Sequence, residues 1–301
     1  MHSNHRHNRA LPKRLHQGQD PTMDERRVPC SKQQLDRYLQ RVAVTAPVAA
    51  NESTLLALHA AHLSAIPFEN LEIHLGRAMR IEPDALFEDL VDRRRGGYCF
   101  QMNELLARVL LAIGFEVERF AARVWLRNSS RMPPRSHQVL RVRTVDGRHW
   151  LCDVGFGGGS PLRPLPFEMQ RIDEQPLESY RMHTHEDYGI VLQRRSVEPD
   201  TREWSDMISF GTEDQWPSDF RYSNHSISTM PDSRFVMHRV VSRAQPDLRQ
   251  SLFDGTFRET RATGVTERVL DAAEEERVLR ETFALDLPTP LVWQPCDAHL
   301  R

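Results

Sequence analysis

Apolar side chains recur with a helical period over the first third of the chain and with a period of two after it. The helical period predicts four helices, over residues 31–42, 53–65, 85–93 and 99–113. Ser31 can cap the first of these helices, and Gly114 stops the last one. Residues 31–114 are therefore expected to form a helical domain.

Alternation of apolar and polar residues starts beyond Gly114. It predicts strands over residues 116–126, 138–144 and 149–154, with Asp146-Gly147 as the turn between the last two. Residues 115–215 are therefore expected to form a β-domain. One segment within it, residues 157–186, is rich in glycine, proline and charge and is expected to be loop.

The remainder of the chain combines both periods. Short strands are predicted over residues 188–194 and 234–243, and a charged helix over residues 271–283. Residues 216–301 are therefore expected to form a mixed α/β domain, and the chain as a whole belongs to the α+β class.

Residues 1–30 show no apolar period and carry histidines among polar and basic side chains. This segment is expected to be a disordered extension. It lacks the apolar core of a signal peptide, and no apolar run of the chain approaches the roughly 20 residues of a membrane span. The expected location is the cytoplasm, where thiols stay reduced.

Composition limits the classes of partner. The 301 residues are 39% hydrophobic, which is enough for a sizeable buried core. With 40 basic and 42 acidic residues the formal charge is −2, so neither nucleic acid nor a membrane surface is an expected partner. The four cysteines lie far apart and lack metal-ligand spacing, so no metal site is expected. A small-molecule partner fits this balance best.

Cys99 is the leading candidate for a nucleophile, because Gly96-Gly97 tighten the chain just before it and it opens a predicted helix. The positive end of a helix favours a thiolate, which is the reactive form of cysteine. It also offers free N–H groups to a developing oxyanion.

His137 and Asp153 can complete a catalytic triad with Cys99. His137 starts a predicted strand and would act as the base, and Asp153 ends another strand and would orient the imidazole. An ideal two-residue hairpin would put these two residues on opposite faces of the sheet. The triad therefore predicts an odd-length loop or a bulge near residues 144–148.

The residue types and their spacing do not exclude purely structural roles for these three residues. A cysteine at a helix start is most often a small buried side chain, and a histidine or an aspartate at a strand end is most often structural. The sequence pattern around each residue does not decide between a catalytic and a structural role.

Five motifs in order resemble those of the arylamine N-acetyltransferase family. They run from about Leu35 to about Pro288 and are Ile66-Pro67-Phe68-Glu69-Asn70-Leu71, Arg95-Gly96-Gly97-Tyr98-Cys99-Phe100 with Asn103, Ser136-His137, Asp153-Val154-Gly155-Phe156-Gly157, and Ser228-Thr229 with Pro231, Ser233 and Phe235. The resemblance implies a helical bundle, a β-barrel and an α/β lid, with a papain-like triad of Cys99, His137 and Asp153.

The resemblance also implies a function. Members of the family move an acetyl group from acetyl-CoA onto the cysteine, and then onto an arylamine, an arylhydrazine or an N-hydroxyarylamine. The thioester intermediate makes this a ping-pong reaction. Acetyl-CoA would be the acyl donor, with no metal.

Binding residues follow from the matched positions. Phe68, Trp125 and Phe235 are expected to line an aromatic acceptor cleft that excludes water. Ser136 and Ser233 are the expected contacts to CoA, and Arg127, Arg131 and Arg135 could meet its phosphates. Met230 and Asp232 stand where a small hydroxyl residue is expected, and the acid could disfavour a phosphate nearby.

Three other functions share this pattern. A related amide synthase or acyltransferase with a longer acyl donor would carry the same triad, as would a papain-like cysteine hydrolase. A non-catalytic binding protein on the same fold is the third, and the intact triad argues against it.

Overall fold

The computed structural model of the protein describes residues 24–125, 131–196 and 203–294. Its helices are Lys32–Arg41 (α1), Glu52–Ala65 (α2), Leu71–His74 (α3), Pro83–Phe87 (α4), Cys99–Ile113 (α5), Pro217–Thr229 (α6), Arg234–Met237 (α7) and Ala272–Arg277 (α8). Its strands are Phe68–Glu69 (β1), Glu116–Val124 (β2), Arg135–Arg143 (β3), His149–Cys152 (β4), Leu165–Pro166 (β5), Ile172–Glu174 (β6), Glu178–His185 (β7), Gly189–Ser196 (β8), Ser205–Phe210 (β9), Val240–Gln245 (β10), Leu248–Phe253 (β11), Thr256–Arg261 (β12) and Gly264–Val269 (β13).

The predicted helices of the first third are present. Ser31 caps α1 by accepting from the Gln34 amide, and the Gln34 side chain bonds back to the Ser31 N–H. Gly114 ends α5 in the left-handed conformation, with φ of 104°. The third helix divides into α4 and a π-helical turn over Glu88–Asp92. These helices pack into one core with α5 at its centre.

The middle of the chain forms an eight-stranded antiparallel sheet. Its strand order is β5-β4-β3-β2-β9-β8-β7-β6, and the sheet curls into a nearly closed barrel. Phe120, Tyr180 and Phe210 are buried within it, and the Phe120 and Phe210 rings stack with centroids 5.7 Å apart. Inward-facing side chains of alternate residues fill a small barrel and make it rigid.

A second sheet has five antiparallel strands in the order β1-β10-β11-β12-β13. Its core includes Leu252, Phe257, Leu279 and Phe283. The short strand β1 comes from the helical part of the chain and pairs Phe68 with Ser242. The last part of the chain is therefore tied directly to the segment that precedes the nucleophile helix.

Three secondary-structure predictions are wrong. Residues 178–185 form the regular strand β7 where loop was expected, because the polar segment is paired on both sides within the barrel. The predicted strand over residues 234–243 begins as the helix α7, since the Ser233 side chain caps its first turn at the Phe235 amide. Residues 24–30 were assigned to the extension but are packed: Cys30 is buried, and Arg27 donates to the Val117 carbonyl.

Other elements were not predicted, namely β1, α3, α6, β9, β11, β12 and β13, together with the short strands β5 and β6 inside the segment that was expected to be loop. The expectation of disorder for residues 1–23 lies outside the described residues. No helix in the described ranges is long and apolar enough to cross a bilayer.

Candidate active site

The segment before Cys99 is held by a buried ion cluster. Arg95 is 1% exposed and pairs with Glu69 at 2.8 Å and with Glu72. Glu69 also accepts from the Gly96 amide at 3.2 Å. A Cβ on Gly96 would stand 2.1 Å from the Pro67 carbonyl oxygen, so only glycine permits this approach. The start of α5 is thereby fixed against β1.

The hairpin between β3 and β4 has the register that a triad needs. Leu140 faces Cys152 and Arg143 faces His149, so the strands align Asp153 with Val139. The Thr144 amide donates to the Arg148 carbonyl at 3.0 Å, which leaves a three-residue loop, 145–147. Gly147 takes a φ of 85° within it. The predicted odd-length loop is confirmed, and His137 and Asp153 share one face of the sheet.

His137 lies between Asp153 and Cys99. Its Nε2 is 2.8 Å from Asp153 Oδ2, and this hydrogen bond leaves Nδ1 for the Cys99 thiol, with which the ring also interacts. The Cys99 Sγ lies 3.7 Å from the Ser136 carbonyl oxygen. All three side chains are buried, at 1 to 3% exposure. The structure therefore brings the three predicted residues together in the order thiol, imidazole, carboxylate.

Two opposing effects act on the protonation of His137. Burial disfavours the charged ring, but the Asp153 carboxylate attracts the proton and accepts a hydrogen bond from it, and Cys99 adds to this. The attraction wins and raises the pKa of His137 to about 10. The ring is therefore an imidazolium at neutral pH, next to a cysteine at the positive end of α5.

Besides His137, three groups hold Asp153. Its Oδ1 accepts from Asn103 Nδ2 at 3.0 Å and from the Gly155 amide at 2.9 Å. Its own backbone N–H donates to His59 Nε2 at 3.3 Å. Burial lowers the pKa of His59 to about 4, so this ring is neutral and can accept. The carboxylate cannot rotate away from His137 without losing its bonds to Asn103 and Gly155.

A cleft of about 450 Å³ opens at Cys99. Phe68 and Phe235 line it, as predicted for the acceptor site, and their ring centroids lie 6.0 Å apart. Phe156 also lines the cleft, with its ring edge-on to His137 at 5.4 Å. Trp125 is not among the lining residues, since its indole donates to Ser209 Oγ at 2.8 Å and its ring packs on Tyr188.

Both predicted CoA contacts line the same cleft. The Ser233 hydroxyl already donates to the Ile227 carbonyl at 2.5 Å and accepts from the Phe235 amide. Its hydrogen is therefore used within the fold, whereas no such bond engages the Ser136 hydroxyl among the described residues. Met230 and Asp232 also line the cleft. Arg135 lies at the start of β3, and Arg127 lies outside the described residues.

Three residues that hold this site had no assigned role at the sequence level. Asn103 follows Cys99 by one helical turn and is fully buried. A buried amide four residues after a nucleophile, on the same helix face, is a signal that could have identified it. His59 and Phe156 reach the triad from α2 and from the turn after Asp153, and nothing in their local pattern indicates that contact.

The described residues contain no group of three histidine, cysteine or acidic side chains arranged to hold a metal ion.

Comparison with known proteins gives concordant matches. Residues 53–292 match an N-acetyltransferase family model. An arylamine N-acetyltransferase of Mycolicibacterium smegmatis is 36% identical over 261 residues, which are 84% of this chain and 92% of that protein. An arylamine N-acetyltransferase / N-hydroxyarylamine O-acetyltransferase of Salmonella typhimurium is 38% identical over 193 residues, 64% of this chain and 66% of that protein.

Solved structures agree with the sequence matches. The arylamine N-acetyltransferase of Mycobacterium marinum in complex with CoA superposes with a TM-score of 0.79 at 33% identity. The match covers 84% of this chain and 93% of that one. The family match over residues 53–292 includes every strand of both sheets.

Proposed function

The chain belongs to the arylamine N-acetyltransferase family, and on that basis we propose that it transfers the acetyl group of acetyl-CoA to arylamines, arylhydrazines or N-hydroxyarylamines. The observation that carries this proposal is the alignment of Cys99, His137 and Asp153, of which Cys99 and His137 line one cleft and Asp153 lies behind the His137 ring. We assign Cys99 as the nucleophile, His137 as the proton carrier and Asp153 as the group that orients the ring.

In the first half-reaction the Cys99 thiolate attacks the acetyl carbonyl carbon. The first N–H groups of a helix lack intrahelical acceptors, and those at the start of α5 would stabilise the oxyanion that forms. The bond from the acetyl carbon to the CoA sulfur then breaks. His137 gives its proton to the leaving sulfur, so that CoA departs as a thiol and His137 becomes neutral.

In the second half-reaction a neutral amine attacks the thioester on Cys99. Acylation has removed the negative sulfur that helped to keep His137 protonated, so the ring is now a better base. It takes one proton from the attacking nitrogen as the bond to sulfur breaks. The products are the acetylated amine and the original pair of thiolate and imidazolium.

Transfer to an amine competes with hydrolysis of the thioester. Phe68, Phe156 and Phe235 give the cleft an apolar wall on which an aromatic ring can pack and from which water is excluded. An aryl acceptor is favoured over water on this ground. Ser136 and Ser233 are proposed contacts to CoA. The Ser233 hydroxyl hydrogen is already donated to the Ile227 carbonyl, so Ser233 would contact CoA through its other atoms.

The chemistry requires a reduced thiol. Cys30, Cys99 and Cys152 are free in the structure, and the cytoplasm is the compartment that we propose for the enzyme on this ground.

Mass spectrometry of the intact protein tests the proposal. Acetyl-CoA should add about 42 Da to the protein, and 4-aminobenzoate or a hydrazine should remove the adduct while forming the acetylated product. The variant Cys99→Ala should show no adduct, and Cys152→Ala is the matched control that keeps it. An adduct that survives in Cys99→Ala, or one that water removes as fast as an amine does, would overturn the assignment.

A further inference from the structure

The cleft beside Cys99 carries a carboxylate that the two half-reactions do not use. Asp232 is the one acidic residue among the described residues that line it. It lies beside the apolar side chains of Ile227, Met230 and Phe235, at the exposed rim rather than at the floor. A substituent that leaves the cleft beside Asp232 meets a negative charge.

The position of Asp232 is fixed by its backbone. The Ser233 amide donates to the Met230 carbonyl at 2.9 Å, which closes a turn with Pro231 and Asp232 at its centre. The Met230 amide in turn donates to the Ser226 carbonyl of α6 at 3.0 Å. Proline at the second position of such a turn restricts it further. The carboxylate is therefore held at the rim in both halves of the reaction.

Basic side chains near this turn are engaged elsewhere. His238 pairs with Asp254 at 2.6 Å, and Arg239 pairs with Glu275 at 3.2 Å. Arg234 also lines the cleft and keeps its positive charge, and it is directed toward the Phe253 ring on β11, with its guanidinium carbon 5.3 Å from the ring centre. The charge of His137 is matched by Asp153. The rim thus carries two charges, the Asp232 carboxylate on the turn and the Arg234 guanidinium against β11.

We propose that Asp232 selects substrates by charge: it favours arylamines that carry a cationic substituent and disfavours anionic ones. This inference rests on the proposed function, because both substrates of a ping-pong enzyme enter the same cleft. The attacking nitrogen must be neutral, so the selected charge belongs to a group on the far side of the aromatic ring. The phosphates of acetyl-CoA are anionic and are disfavoured by the same carboxylate.

The expected effect is modest, because the carboxylate is exposed to water. A charge pair separated by several ångströms near a protein surface changes binding by about threefold. Salt should reduce this factor, since exposed charges are screened over about 10 Å at 0.1 M ionic strength.

Steady-state kinetics of Asp232→Asn tests the proposal. Three acceptors of similar size are compared: 4-aminobenzylamine, whose aliphatic amine is cationic, 4-aminobenzyl alcohol, which is neutral, and 4-aminobenzoate, which is anionic. We expect kcat/KM to fall about threefold for the cationic acceptor and to rise about threefold for 4-aminobenzoate and for acetyl-CoA. The neutral acceptor should be unchanged, and 0.5 M salt should shrink every difference.

The control variant is Glu267→Gln. It removes one negative charge from β13, at the opposite edge of the five-stranded sheet from Phe68. It should leave kcat/KM unchanged for the three acceptors and for acetyl-CoA. This result would separate a local effect of Asp232 from an effect of net charge. Equal changes for neutral, cationic and anionic acceptors in Asp232→Asn would mean that Asp232 acts only on structure, and would overturn the proposal.

A binding measurement keeps this inference separate from the proposed function. Free CoA is titrated into Cys99→Ala and into Cys99→Ala with Asp232→Asn, so that no turnover is needed. The second protein should bind CoA about threefold more tightly at low salt. If the two proteins bind CoA equally well, the charge effect is refuted even where acetyl transfer has been established. If the affinities differ but the enzyme transfers no acetyl group, only the proposed function is refuted.

Discussion

The side-chain amide of Asn103 donates to Asp153 Oδ1 over 3.0 Å, from a position one helical turn beyond Cys99. The same amide donates to the Gln138 carbonyl at 2.6 Å, and its oxygen accepts from the Val154 amide at 3.0 Å. One residue of α5 thus holds the strand after His137 and the turn that carries Asp153. The distance between nucleophile and carboxylate is set by a side chain that takes no part in the reaction.

Replacing Asn103 with leucine should disturb the site without touching the triad. The variant leaves the Gln138 carbonyl and the Val154 amide unpaired in the core, which should cost about 2 to 4 kcal/mol of unfolding free energy. Acetylation of Cys99 should slow as Asp153 loses a donor. Urea denaturation and the rate of acetyl-enzyme formation measure the two effects. Wild-type stability in Asn103→Leu would show that water or another residue takes over these bonds.

Gly155 should not accept a side chain. A Cβ there would lie 2.6 Å from the Cys99 Cα and 2.8 Å from Asn103 Nδ2. Gly155→Ala should therefore shift Cys99 away from His137 and lower kcat/KM by about a hundredfold, as a displacement of about 1 Å at a reacting group does. Gly158→Ala is the matched control, since a Cβ at Gly158 meets no atom within 4 Å. If both variants keep full activity, the close packing of Gly155 is not required.

His137→Gln should make Cys99 less reactive at neutral pH. The wild-type ring is protonated there, because the neighbouring Asp153 overcomes the effect of burial and raises the pKa of His137 to about 10. Removing this cation removes a charge that stabilises the thiolate, and alkylation by iodoacetamide at pH 7 should slow by at least about tenfold. The variant His183→Gln, on β7 outside the cleft, serves as the control. Equal alkylation rates for His137→Gln and wild type would exclude an imidazolium beside Cys99.

Acid should destabilise the fold through two buried histidines of α2. Burial lowers the pKa of His59 to about 4 and that of His62 to about 3, against 6.5 for an exposed ring. Below pH 6.5 the unfolded chain binds protons that the folded chain does not. Each histidine should therefore remove about 2 kcal/mol of unfolding free energy between pH 7 and pH 5. His137, whose pKa is raised, changes the stability in the opposite direction over this range. Urea denaturation at the two pH values, compared between the wild type and variants without each α2 histidine, therefore measures their contribution.

His62→Phe tests the origin of this acid sensitivity. His62 lies next to Tyr38, whose hydroxyl is 2.9 Å from its Nδ1, and phenylalanine fits a site of similar volume but cannot titrate. The variant loses that hydrogen bond at every pH, but its unfolding free energy should depend less on pH than that of the wild type. An unchanged slope between pH 7 and pH 5 would mean that His62 is protonated or solvated in the folded protein.

Local pattern predicted much of the architecture. The helical period with its caps at Ser31 and Gly114 predicted α1, α2 and α5 to within a few residues. The register argument between His137 and Asp153 predicted the odd-length loop, which the structure confirms at residues 145–147. Local pattern did not predict β7, whose charged and polar residues form a strand only because the neighbouring strands pair with them. It also did not predict α7, where the capping Ser233 starts a helix in a segment with high strand propensity.

The sequence by itself determined the helices and hairpin that carry Cys99, His137 and Asp153, because propensity, capping and register act between residues that are near in the chain. It also determined the family, through motifs in a fixed order. Only the tertiary structure decided what surrounds them: that Asn103 and His59 hold Asp153, that Phe156 faces His137 while Trp125 packs outside the cleft, and that Asp232 stands at the rim. The longest of these contacts joins His59 and Asp153, which lie 94 positions apart. Such contacts depend on how whole elements pack rather than on any local period.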